Sequence, residues 1–253
     1  MTTDTEPRRA LLDVSVFRLG FTSQVVRVPL GRDGRGPDVL GITRKPSLPP
    51  DQRWRQEQIE AMPTLVTLVR HGQLRLFMYT ELDLEAMKGT YVGTGGIIGD
   101  LFRGLAFEDV PAAIGRSKLQ QMSLDEYAKK ETFINFCKYL LGLDYASIQA
   151  RPGFLRRFTE FEQENFRHLD RFKRICSALT ENHYPDAFHL WTAEASGIGY
   201  FLTADRAFTN ALTMTSRVPL PTRPMSPSDL LTQLGVTQLD PMPLTDDRIY
   251  PLQ

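Results

Sequence analysis

The chain has 253 residues, 42% hydrophobic and 24% charged, with 30 basic and 30 acidic side chains. That is enough to bury a core of its own, and a net charge of zero argues against a dedicated nucleic-acid packaging role while allowing a locally basic groove. No apolar run approaches the ~20 residues of a membrane span, the N-terminus lacks a signal-peptide layout, and Cys137 and Cys176 show no Cys-x-x-Cys spacing, so a cytoplasmic chain with reduced thiols, no structural zinc and no membrane contact is expected.

In chain order, Ala10 to Phe17 reads as a buried first strand interrupted by Asp13 and Ser15. Residues 22–50 mix short apolar stretches with glycine and proline, and Val25 to Leu30 fits one arm of a hairpin. Gln52 to His71 has helical spacing, with Asp51 as an N-cap and Pro63 as a kink or break. Gln73 to Tyr79 reads as a second strand, followed by a helix that Thr80 caps, that carries Glu81 and Glu85, and that Gly89 ends. Residues 90–182 are expected to be mostly helical, with a capping box at Ser123 to Glu126. Gly93 to Gly99 lacks the Lys-Ser/Thr ending of a phosphate loop and reads as a turn. Then come a helix over 186–196, a strand over 199–203, a helix over 206–212 and a last helix capped by Ser226 or Ser228. The tail over 240–253, with three prolines, is expected to pack poorly. Alternating strands and helices predict a single α/β domain with a mostly parallel sheet and insertions at about 22–50 and 90–182.

Of four acids, three fall where such a sheet places ligands, beyond the carboxyl ends of its strands, and Glu85 points to the same edge from its helix. The four are Asp13 after the first strand, Glu85 early in its helix, Asp186 at a helix start and Asp205 just past Phe201-Leu-Thr. Clustered carboxylates raise one another's pKa unless a cation compensates them, and oxygen ligands suit Mg²⁺ or Mn²⁺. A metal so held activates water toward a phosphodiester. Taken singly, Asp186 and Asp205 also fit simple helix caps, and Glu81, one turn from Glu85, competes with it. Ser15 and Thr203 are placed to hydrogen-bond a metal ligand or its water. His189 reads as a packing or supporting residue, and His71, His168 and His183 as surface residues. Arg151, Arg156, Arg157, Arg167, Arg171, Lys173 and Arg174 form a basic set interleaved with acids. It is either a solvated helix face or, if it borders the acids, a seat for a nucleic-acid backbone.

These residues resemble the PIN domain family of metal-dependent nucleases, which includes the toxins of many bacterial toxin–antitoxin pairs. Leu12-Asp-Val-Ser-Val-Phe17 is similar to that family's opening strand, and Glu85-Ala-Met-Lys-Gly89 to its Glu-x-x-x-Gly helix. Pro185-Asp-Ala-Phe-His-Leu-Trp-Thr-Ala193, Phe201-Leu-Thr-Ala-Asp-Arg-Ala-Phe208 and Pro224-Met-Ser-Pro-Ser-Asp-Leu-Leu231 resemble its C-terminal half. The match over 184–234 is the specific one. The wide separation of residues 85 and 186, and the extra residues 22–50, depart from a small toxin-type member.

The resemblance implies a three-layer, PIN-like fold with a helical insertion. It also implies a metal-dependent endoribonuclease in which Asp13, Glu85, Asp186 and Asp205 gather Mg²⁺ or Mn²⁺. RNA is then the substrate, with DNA left open. An inhibitory or scaffold protein, or a second copy of the chain in a homodimer, is a compatible partner. The alternative is a non-catalytic PIN-like scaffold that acts as a protein or RNA interaction module.

Overall fold

Short apolar runs become the strands of two sheets in a computed structural model that describes residues 7–29, 38–90, 100–214, 219–246 and 248–251. In chain order the strands are β1 Arg8–Leu12, β2 Ser23–Pro29, β3 Asp38–Arg44, β4 Leu74–Met78, β5 Glu108–Asp109, β6 Tyr200–Leu202, β7 Arg223–Met225 and β8 Tyr250–Pro251. The helices begin with α1 Val14–Leu19, α2 Arg53–Arg70 and α3 Thr80–Thr90. A run of six follows: α4 Leu124–Tyr127, α5 Lys130–Gly142, α6 Tyr145–Gln149, α7 Pro152–Leu155, α8 Glu160–Arg167 and α9 Leu169–Cys176. The last three are α10 Tyr184–Ala195, α11 Arg206–Met214 and α12 Pro227–Gln233.

The main sheet has the order β5-β4-β1-β6-β7, and every pairing in it is parallel. With helices packed against it, this is a three-layer α/β arrangement. Leu11, Leu12, Leu76, Phe201 and Leu202 are buried, as expected for strands covered on both faces. Successive strands step from β1 to β4 to β5 in one direction, and the chain then returns to lay β6 on the other side of β1. Strand order therefore reverses at β1 and β6. In open parallel sheets the crevice at that reversal is where ligands bind.

The smaller sheet, order β2-β3-β8, is antiparallel. Val25 lies in a hairpin arm, as the apolar run suggests. The end of the chain is held more closely than its prolines suggest: β8 pairs with β3, Asp246 pairs with Arg44, and the Asp240 N–H donates to Thr64 Oγ1 at 2.6 Å.

Several boundaries differ from the sequence expectation, each for a local reason. The apolar run 10–17 is strand only as far as Leu12, and Val14 to Leu19 turns helical with Val14, Val16, Phe17 and Leu19 buried. A short buried run reads equally as strand or helix, so periodicity could not decide it. Helix α2 passes through Pro63 without interruption, and its N-cap is Gln52 rather than Asp51. Gly89 lies within the last turn of α3 instead of ending it. Ser123 does cap a helix, accepting from the Glu126 N–H, but that helix is one turn long and the aromatic-rich helix is α5. The glycine-rich segment 93–99 lies outside the described residues.

Aromatic packing fastens the helical segment to the sheet. Phe172 stacks on Trp191 at 5.2 Å between centroids, and Phe133 and Phe136 meet Phe188 edge-on at 5.6 and 5.5 Å. Such pairs contribute about 0.5–1.5 kcal/mol each beyond their buried area. They lock α5 and α9 onto α10, the helix that carries Asp186. Gly197, at φ 64°, then lets the chain leave α10 and enter β6, where the left-handed conformation favours glycine.

Candidate acidic cleft

Asp13 is placed by the end of β1. Its N–H still pairs with Leu202 O of β6 at 2.9 Å, one step beyond the strand, and its carbonyl accepts from Val16 and Phe17 to start α1. Its side chain caps nothing in α1. Instead Oδ2 accepts from Thr203 Oγ1 at 2.7 Å and from Ser15 Oγ. Ser15 Oγ in turn accepts from the Ala204 N–H at 2.8 Å, and Thr203 Oγ1 from the Asp205 N–H at 3.0 Å. The two hydroxyls thus tie the ends of β1 and β6 together around one carboxylate. Burial raises the pKa of Asp13, against the lowering effects of Ser15, His189 and Thr203.

Asp205 divides its oxygens. Oδ1 accepts from the Phe208 N–H at 2.9 Å and so caps α11, while Oδ2 lies 3.7 Å from His183 Nδ1. The cap reading and the site reading of this acid hold together, one oxygen each. Asp186 lies in the first turn of α10 but makes no cap, because the N-cap is His183 and its side chain makes no capping bond. Asp186 Oδ2 lies 3.4 Å from His183 Nδ1. Burial, then the negative charges of Asp13 and Asp205, push the Asp186 carboxyl up to about 7, with His189 and Lys130 opposing them.

Glu85 and Glu81 part company. Glu81 is buried and held by Arg116, at 2.7 Å from Nη2, and by the Tyr127 hydroxyl at 2.6 Å. Glu85 Oε1 faces His189 Nε2 at 3.6 Å. His189 is itself buried, with Nδ1 at 2.6 Å from the Tyr79 hydroxyl. Burial works to lower the pKa of His189, but Glu85, with Asp13 and Asp186 behind it, outweighs that and holds it above its ordinary value. The acids around it thus favour the protonated imidazole over the neutral one.

All four predicted acids line one cleft of about 350 Å³. The wall opposite comes from the helical segment: Arg116, Tyr127, Lys129, Lys130 and Phe133, with Arg18 of α1 beside them. Arg116 lies over the rings of Tyr127 and Phe133, at 3.6 and 4.6 Å. None of the described residues of 22–50 lines this cleft.

The basic set expected to seat a nucleic acid does not line the cleft. Arg171 makes a two-pronged pair with Glu194 at 2.5 and 2.6 Å, and Lys173 donates to Leu143 O. Arg157 donates to Lys118 O, and Arg167 bonds Glu164 and Tyr145. Arg151, Arg156 and Arg174 are exposed elsewhere. Arg157, Arg167, Arg171 and Lys173 thus brace the helical segment, a use that charge periodicity cannot tell from ligand binding. The sequence reading also missed His183, which lies at the cleft edge rather than on an open surface. The signal was its position one helical turn before Asp186. His183, Asp186 and Asp205 each offer one ligand atom, and the three atoms lie within 4.8 Å of one another.

No family model, curated protein or solved structure matches the chain. No helix among the described residues is long and apolar enough to cross a membrane.

The donor set fits a divalent cation. Carboxylate oxygens of Asp186 and Asp205 and the His183 ring nitrogen lie within 4.8 Å of one another, and the pKa of Asp186 is raised by burial and then by its neighbours' charge. Oxygen-rich sites of this kind suit hard divalent ions.

Proposed function

We propose that this chain is a Mg²⁺- or Mn²⁺-dependent endoribonuclease with a PIN-like site, in which Asp13, Glu85, Asp186 and Asp205 would hold the cation. The observation that carries this reading is the meeting of four acids from four separate elements at the strand-order reversal. Such a cluster is costly to keep charged without a counter-ion. When bound, a divalent ion there supplies Lewis-acid chemistry: it makes water a nucleophile near neutral pH and offsets charge on the phosphorus.

The chain's own residues supply the rest. Ser15 and Thr203 orient Asp13 through hydrogen bonds. His189 holds Glu85 toward the cleft from a buried position fixed by Tyr79. Lys130 and Arg18, both exposed at the cleft, reach phosphate oxygens of the substrate strand. Arg116, pinned and balanced by Glu81, holds the cleft wall in a fixed shape.

The test is cleavage of a mixed RNA pool with Mn²⁺, comparing the native protein with Asp186→Asn and with EDTA. Cutting that is lost in both controls supports the reading. Pure, folded protein that neither cuts RNA nor binds Mn²⁺ would overturn it and leave a scaffold.

A further inference from the structure

We infer that His183 is a ligand of the cation in this cleft and that its imidazole makes the cleft select Mn²⁺ over Mg²⁺. This rests on the cation-dependent reading above and adds a nitrogen donor from outside the four acids.

Its basis is the orientation of three side chains. Asp205 spends Oδ1 on capping α11 and turns Oδ2 toward His183. Asp186 makes no cap and turns Oδ2 to the same nitrogen. The His183 ring rests against Phe208, 6.1 Å between centroids and tilted by 40°, on the helix that Asp205 caps. Nδ1 therefore faces two carboxylate oxygens at 3.4 and 3.7 Å.

A proton on Nδ1 is a poor explanation of that convergence. Even shared between both carboxylates it meets them only at 3.4 and 3.7 Å, which is long for N–H···O bonds. A cation serves both. Ligand atoms about 2.1 Å from one ion lie about 3.0–3.5 Å apart in octahedral or tetrahedral arrangements. The two nitrogen–oxygen distances thus reach that range with shifts of a few tenths of an ångström, and the two carboxylate oxygens lie within 4.8 Å of each other. Asp13 is not part of this trio, since its Oδ2 is already engaged by Ser15 and Thr203.

The presence of an imidazole decides the kind of ion. Mg²⁺ keeps to oxygen donors and gives up water reluctantly, whereas first-row transition ions from Mn²⁺ upward take imidazole nitrogen. Two carboxylates and one imidazole at the cleft edge form a Mn²⁺-type set, with selectivity that four carboxylates alone would lack.

The test uses the full chain and Mn²⁺ itself. Pulsed electron paramagnetic resonance of bound Mn²⁺ is expected to show ¹⁴N modulation from a directly coordinated imidazole, and this signal should vanish in His183→Asn. Titrations should show Mn²⁺ affinity falling about 10–100-fold in that variant, at least the effect of losing an outer partner of a metal ligand. Mg²⁺ affinity should change by less than about threefold. Equal melting temperatures of the two proteins in EDTA show that the variant is folded. Bound Mn²⁺ without ¹⁴N modulation, or modulation that survives in His183→Asn and so arises from His189, overturns the inference and leaves the cation reading intact. Absence of any Mn²⁺ binding overturns both.

Discussion

Glu81 and Glu85 lie one turn apart on α3, and their surroundings give them different work. Glu81 balances the buried Arg116 guanidinium, so Glu81→Gln leaves a buried cation without its charge partner and should cost about 3–5 kcal/mol in urea unfolding. Glu85 is a third exposed and faces His189, so Glu85→Gln should change stability by less than about 1 kcal/mol while weakening Mn²⁺ binding. Equal losses of stability in the two variants would contradict this division. Asp186 makes a prediction about pH. Its folded pKa is raised, so the folded chain holds that proton more tightly than the unfolded chain does. The stabilisation is complete at low pH and is lost as pH rises from about 4 to about 7. A rise from 3.8 to about 7 sets an upper limit of about 4 kcal/mol, and sharing the charge with Asp13 and Asp205 brings the expected effect to about 1–3 kcal/mol. In EDTA at pH 8, Asp186→Asn should therefore melt several degrees above the native chain, a difference that disappears at pH 4. A variant that melts lower at pH 8 would show that burial and crowding of charge do not set this pKa.

At the scale of elements, the cleft wall depends on a cap some distance from it. Thr159 and Glu162 form a reciprocal capping box at the start of α8. Glu162 also accepts from the Gly115 N–H at 2.9 Å and pairs with Lys118, on either side of Arg116. Thr159→Ala loses the cap alone and should cost about 1 kcal/mol. Glu162→Ala also frees the 115–118 segment and should cost about 2–4 kcal/mol, measured by denaturant titration. It should weaken RNA binding as well, because Arg116 is then no longer held in a fixed position. Thr159→Ala should leave binding unchanged. The Ser123 cap was legible because the motif is local, although Glu126 turns its side chain to Lys129 and closes no box. The reach of Glu162 to residue 115 was not legible. That hydrogen bond joins positions 47 apart in the chain, and no spacing rule covers it.

Across the whole molecule, a formal charge of zero conceals an uneven distribution around the cleft. If RNA lies there, Arg18→Ala with Lys130→Ala should lower its affinity and reduce the salt slope by roughly 0.7 for each phosphate no longer neutralised. Arg156→Ala with Arg174→Ala should change neither, and the reverse result would return the RNA to the basic face of the helical segment. What the sequence by itself determined was the α/β class, the central strands β1, β4 and β6 with the helices that follow β4 and β6, and the placing of Asp13 and Asp205 just past strands and of Asp186 at a helix start. Apolar periodicity and the residue that follows a strand are local properties, set by backbone geometry and burial over a few positions. Only the tertiary structure decided which charged side chains face the acids. The return of the chain to the far side of β1 joined β6 to it, and the packing of Phe172 on Trp191 fixed how α9 and α10 are rotated. Long-range packing of this kind sets His183 beside Asp186 and Asp205, brings Arg116 and Lys130 to the cleft and leaves Arg171 and Lys173 bracing helices, since a side chain's direction follows from the packing of its whole element.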